Sequence, residues 1–109
     1  MTKFKIFKGV NGQYYYNLQA LNGEKILSGE GYTSKANCQA GIASVKTNAP
    51  FDSRYKKSVA INGKHYFTLV GGNGEIIGKS EMYVTIAGRD QGIESVKRNA
   101  PIAIVEDLA

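Results

Sequence analysis

Few residues in this 109-residue chain are of types that catalyse. There is one histidine, His65, and one cysteine, Cys38. A thiol beside an imidazole makes a nucleophile–base pair only where the fold joins them, and a lone imidazole titrates near neutrality. One His and one Cys cannot supply the ligand count of the usual zinc site, so the residues point to no metal and no cofactor. Glu30 and Glu81 stand at equivalent positions, and paired carboxylates do acid–base work. Their duplication equally suits carboxylates that build one unit twice by binding a backbone N–H or a nearby lysine. Gly71-Gly72-Asn73-Gly74 has the composition of a phosphate loop, but such a loop runs from a strand into a helix. Here it lies between two strands and reads as a hairpin turn. No catalytic residue is assigned; an enzyme would have to rest on Glu30 and Glu81 or on His65.

Binding residues are easier to name. Tyr15, Asn17 and Gln19 share one face of a strand, as do Tyr66, Thr68 and Val70 further on. Exposed tyrosines near Lys or Arg can stack bases. Basic clusters at Lys3, Lys5 and Lys8, and at Arg54, Lys56 and Lys57, can meet phosphates. Tyr15, Asn17, Gln19, Tyr66, Thr68, Lys56 and Lys57 therefore form the candidate binding surface. The ordinary alternative is a solvated β face with cross-strand aromatic pairs. Net charge is +5, unevenly divided as +4 over residues 1–54 and +1 over residues 55–109. A mild basic excess favours nucleic acid or an acidic partner through long-range fields.

These residues predict a non-enzymatic binding or interaction module; the second reading is a weak single-stranded nucleic-acid binder. No stretch approaches the ~18 apolar residues of a membrane span, and the first eight residues lack the apolar core of a signal peptide. A single cysteine permits no internal disulfide and fits a reducing compartment, so the cytoplasm is expected. Hydrophobic residues at 42% and charged residues at 21% describe a folded chain.

A repeat positions these residues. Shifted by 51, Asn11-Gly12 meets Asn62-Gly63, and Asn22-Gly23-Glu24 meets Asn73-Gly74-Glu75. Glu30 meets Glu81, Tyr32 meets Tyr83, and Gly41-Ile42 meets Gly92-Ile93. Ser44-Val45-Lys46 meets Ser95-Val96-Lys97, and Asn48-Ala49-Pro50 meets Asn99-Ala100-Pro101. Over residues 11–50 nineteen of forty pairs are identical without a gap. A unit of about fifty residues buries a stable core with difficulty, so the halves are expected to share one. The chain reads as a single domain, 1–109, with repeats at about 3–54 and 55–105, and as a pseudo-symmetric monomer.

Each Asn-Gly between alternating runs signals a hairpin, with positive φ expected at both central residues of a type I′ turn. Two turns per unit give three antiparallel strands, near 3–10, 13–21 and 24–30, then near 55–61, 64–71 and 75–81. Tyr14, Tyr16, Leu18 and Ala20 share the covered face, as do His65, Phe67, Leu69 and Gly71. A helix follows each third strand, capped by Ser34 or Thr85. Its apolar stripe is Cys38, Ile42, Val45 and Ala49, or Arg89, Ile93, Val96 and Ala100. The helices end before Pro50 and Pro101, with Asn48 and Asn99 suited to a left-handed last turn. Gly41 and Gly92 predict close approach of each helix to the sheet or to its sister. Ile102-Ala103-Ile104-Val105 reads as a last strand, followed by a fraying tail.

The Asn22-Gly23-Glu24 turn, the run Ser28-Gly29-Glu30-Gly31-Tyr32-Thr33-Ser34-Lys35-Ala36, the segment Gly41 to Pro50 and their partners 51 residues on resemble the YegP-like family of short bacterial proteins. The likeness spans nearly the whole chain. It departs where Val84-Thr85-Ile86-Ala87-Gly88-Arg89 replaces the Thr-Ser-Lys-Ala pattern. The resemblance implies an α+β fold of two tandem β-β-β-α-β repeats. These form one mainly antiparallel sheet with two helices on one face and pseudo-two-fold symmetry. It further implies exchanged C-terminal strands, with residues near 51–54 and 102–105 crossing to the partner unit. It implies no activity and no catalytic residue.

Overall fold

A computed structural model describes residues 2–109. The first repeat gives β1 (Lys3–Lys8), β2 (Tyr14–Gln19), β3 (Lys25–Ser28) and α1 (Lys35–Asn48). The second gives β4 (Tyr55–Val59), β5 (His65–Val70), β6 (Ile76–Lys79), α2 (Ile86–Asn99) and β7 (Ile104–Asp107). The seven strands form one sheet in the order β4-β5-β6-β3-β2-β1-β7. Every pairing is antiparallel except β1 with β7, which is parallel.

The repeats meet at β3 and β6, where Ser28 pairs with Lys79. These residues are 51 apart, so the pseudo-two-fold axis passes between them. Both helices lie on one face, and each packs on strands of both repeats. Phe4, Ile6, Tyr16, Leu18 and Leu27 join Phe67, Leu69, Ile93 and Val96 in one buried cluster. Burying each large apolar side chain contributes about 1.5–3 kcal/mol, so much of each repeat's stabilisation comes from the other. Tyr16 makes this explicit: its hydroxyl donates to the carbonyl of Ile77 in the second repeat.

Only one side chain fits at the centre. A Cβ on Gly78 would stand 2.8 Å from Leu27 Cδ2, and residues 27 and 78 are symmetry equivalents. Leu27 fills a volume that two leucines would overfill. Gly78→Leu is expected to destabilise by about 1–3 kcal/mol through overpacking. Adding Leu27→Gly should recover most of that loss, because the filled volume is then the same. Urea melts of the single and double variants check this; additive losses would contradict it.

Several local expectations are corrected by the structure. The four hairpins are not type I′: only Gly12, Gly23, Gly63 and Gly74 have positive φ, at 80–84°. In the first hairpin Gly12 N–H donates to Gly9 O and Gly9 N–H to Gln13 O, a type I turn closed by a glycine bulge. Asn11 Oδ1 accepts from Gln13 N–H, and Asn22, Asn62 and Asn73 act alike. Asparagine is thus there for its side-chain acceptor.

Ser34 and Thr85 do cap the helices, accepting from Asn37 and Gly88 N–H. Asn48 and Asn99, however, keep negative φ, and their side-chain amides donate back to Ser44 and Ser95 carbonyls. After α2 the chain turns through a 3₁₀ segment, Ala100–Ile102, with Pro101 near its start. The last strand therefore begins at Ile104 rather than 102. The tail is not frayed at Glu106 and Asp107, which pair with β1, and Leu108 N–H donates to Ile6 O. β7 does cross to the first repeat. Residues 52–54 instead form a 3₁₀ turn running directly into β4, and the positions equivalent to β7, 53–56, already enter that strand. Gly41 and Gly92 let the helices close on the sheet side through Tyr32 and Tyr83, whose backbones bridge to β2 and β5. A Cβ there would meet the Tyr32 hydroxyl at 2.4 Å or the Tyr83 hydroxyl at 2.3 Å.

Candidate functional site

The helices leave one sheet face uncovered, and strand registers define what it shows. Lys5 pairs with Asn17 and Glu106, Asn17 with Ser28, Ser28 with Lys79, Lys79 with Thr68, and Thr68 with Lys56. Side chains paired across a sheet share a face. Glu106, Lys5, Asn17, Ser28, Lys79, Thr68 and Lys56 therefore make one polar row crossing all seven strands, about 29 Å long at ordinary strand spacing. Glu106 is partly neutralised by Lys3 at 3.3 Å. Lys5, Lys56 and Lys79 have no ion-pair partner among the described residues.

The row is flanked by aromatics. Tyr15 stacks on Phe7 with centroids 5.8 Å apart and planes 17° apart, and its hydroxyl accepts from Asn11 Nδ2 at 2.8 Å. Across the axis Tyr66 has Lys79 Nζ 5.0 Å from its ring centroid, a cation–π contact. Gln19 is half-buried beside Lys3. Asn17 and Thr68 are on this face but buried among neighbouring side chains, so little of either is exposed. Asn17 Oδ1 makes no hydrogen bond among the described residues.

Lys57 belongs elsewhere. It pairs with Phe67 on the helix side and meets Asp90 of α2 at 3.6 Å. Lys8 lies over Tyr14 on that side too, and Arg54 donates to Asn48 Oδ1. The sequence clusters are thus divided between two faces, while Lys79, which sequence reading passed over, sits at the centre of the open one.

The candidate chemistry is not brought together. Cys38 is fully buried in the core, where burial, with Asp107 nearby, pushes its thiol above the ordinary value. A thiol held protonated packs rather than attacks. His65 pairs its backbone with Tyr83 and makes no hydrogen bond to Cys38. Glu81 lies 3.7 Å from Lys25 across the repeat boundary, in a shallow depression with Glu24, Ile26 and Tyr83 that does not include Glu30. Glu30 is exposed. Tyr32 and Tyr83 are pushed above the normal phenol range by burial first, then by Cys38 and Glu30 or by Glu81 and Glu24. They stay protonated and cover the helix glycines. Groups of three or more potential metal ligands are absent among the described residues. No helix described is long and apolar enough to cross a membrane.

The fold and face define a tandem-repeat α+β protein with a lysine- and tyrosine-bearing open sheet. Residues 10–55 and 60–107 each match the domain of unknown function DUF1508, and the chain belongs to that family. It is similar to a UPF0339 protein of Bordetella pertussis, 51% identical over 98% of this chain and 96% of that one. YegP of Escherichia coli K12 is 47% identical over 95% of this chain and 94% of its own length. Two NMR structures share the fold. The Shewanella oneidensis UPF0339 protein matches with a TM-score of 0.92 at 45% identity, over 98% of this chain and 91% of that one. The Escherichia coli protein of unknown function yegP gives 0.93 at 46%, over 98% and 92%. The tandem fold anticipated from the repeat is thereby shown, and the relatives' names carry no specific activity.

Proposed function

We propose that this chain is a non-enzymatic binding module that holds an anionic partner on its helix-free sheet face. The observation carrying this reading is the polar row crossing all seven strands, in which Lys5, Lys56 and Lys79 lack ion-pair partners among the described residues. The sheet fixes the backbones that carry these lysines, so only their side chains, at about 0.5–2 kcal/mol each, must be ordered on meeting phosphates or carboxylates. Tyr15, Gln19 and Tyr66 flank the row, while the buried Asn17 and Thr68 sit on either side of its centre. A pseudo-symmetric monomer in a reducing compartment such as the cytoplasm suits the unpaired Cys38.

A single-stranded nucleic acid is the occupant favoured by a second observation: aromatic rings accompany the lysines on the same face. Fluorescence anisotropy with labelled hexauridylate tests the reading. Three phosphate contacts predict a slope of about −2 in log affinity against log salt. The Lys5→Gln/Lys56→Gln/Lys79→Gln variant should abolish binding without altering the fold. A salt-independent complex, or an unaffected triple variant, would contradict the proposal. Preference for a poly-glutamate peptide over RNA would keep the anionic partner and discard the nucleic acid.

A further inference from the structure

The two halves of the open face differ most in how they hold Tyr15 and Tyr66. In the first half the Tyr15 ring lies over Gly9 and Gly31, tied to Asn11. A Cβ on Gly9 would stand 2.7 Å from Tyr15 Cε2, and one on Gly31 3.1 Å from Cζ. Glycine is needed for the ring at position 9 and eases its contact at position 31. The residues 51 further on are Ala60 and Met82, so Tyr66 cannot lie down as Tyr15 does. Phe7, which stacks on Tyr15, is matched by Ser58, and Ser28 by Lys79. Tyr66 instead associates with Lys79. What remains is an open hollow of about 540 Å³, lined by Ala60, Asn62, Tyr66, Lys79 and Met82, with Val59 and Ile61 at its rim.

Three of those residues, Ala60, Asn62 and Met82, are the equivalents of those that hold the Tyr15 ring. The hollow is therefore the place of an aromatic ring in the sister repeat, vacated in this one. Asn62 Oδ1 is engaged by Lys64 N–H. Its Nδ2, whose counterpart on Asn11 donates to a phenol oxygen, is available to an acceptor on the occupant. Tyr66 supplies a ring wall and Met82 a polarizable contact. Lys79 borders the hollow, and Lys56 lies one strand beyond Thr68 in the same row.

We propose that this hollow takes one base of a single-stranded nucleic acid, stacked against Tyr66, with the adjoining phosphates on Lys79 and Lys56. The assignment rests on the nucleic-acid reading above and makes it specific to the second repeat. A planar ring with a carbonyl acceptor matches the vacated phenol. The phosphate carried by each nucleotide supplies the negative charge that an aromatic side chain alone does not.

Labelled hexauridylate at low salt, titrated into the full chain, tests the proposal. Tyr66→Ala should weaken binding about tenfold or more, while Tyr15→Ala weakens it by a clearly smaller factor because that ring is already engaged by Phe7 and Asn11. Ala60→Gly/Met82→Gly should weaken binding as Tyr66→Ala does, since it restores the glycines over which Tyr66 itself can lie. Met82→Trp, which adds no glycine, should fill the hollow with the same result. Melting curves confirm that each variant is folded. Equal losses in Tyr15→Ala and Tyr66→Ala, or undiminished binding in Met82→Trp, would overturn the base site while leaving the lysine row intact. No salt-sensitive binding of hexauridylate by the unaltered chain would overturn both.

Discussion

Residues 1–54 expressed alone are expected to show no cooperative thermal transition as a monomer. In the intact chain β1 has β7 along its outer edge, and β7 belongs to the second repeat. β3 has β6 along its own outer edge, also from the second repeat. Cutting at residue 54 strips both strands of those neighbours and exposes Phe4, Leu18, Leu27 and Tyr16 to water. A chain of that length has little core to spare. Circular dichroism and calorimetry of the fragment check the prediction; a sharply melting monomer would contradict it, whereas a melting dimer that rebuilds the missing contacts would agree with it.

Tyr16→Ala should cost about 3–5 kcal/mol of unfolding free energy, the range for removing a buried aromatic. The ring is 1% exposed. It meets Phe4 edge-on at 5.9 Å and stacks on Tyr32 at 6.4 Å. It also lies so close to Gly29 that a Cβ there would be 2.0 Å from Cε2. Burial first, then Tyr32, Cys38 and Glu30, drive the phenol far above its ordinary range, so it remains a donor to Ile77 O throughout the folded protein's pH range. Tyr16→Phe should therefore cost less, about 1–3 kcal/mol, for the carbonyl left without its donor. Denaturant melts of both variants separate ring packing from the hydrogen bond. Equal losses would show that the hydroxyl carries the whole effect.

Much of this was legible in the chain because it was written twice. Duplication turned weak turn and cap signals into strong ones, and period two identified Tyr16, Leu18, Phe67 and Leu69 as core. Strand parity also held information that was missed: Lys56 and Lys57 are adjacent on a strand, so they cannot share a face. Lys79 needed more. It enters the polar row only once β6 is known to lie between β5 and β3, and that pairing is non-local. The same holds for Gly41 and Gly92, whose partners Tyr32 and Tyr83 recur visibly in the repeat although nothing local links them. The differences Gly9/Ala60 and Gly31/Met82 are plain when the halves are aligned. Their meaning appears only when the Tyr15 ring is seen lying over the glycines.

Backbone amide shifts followed by NMR during titration with hexauridylate test most directly where this molecule acts. The account predicts changes at Lys5, Lys56, Tyr66, Thr68, Lys79 and Met82, with α1 and α2 unmoved. Changes centred on the outer faces of the two helices, with β5 and β6 silent, would contradict it.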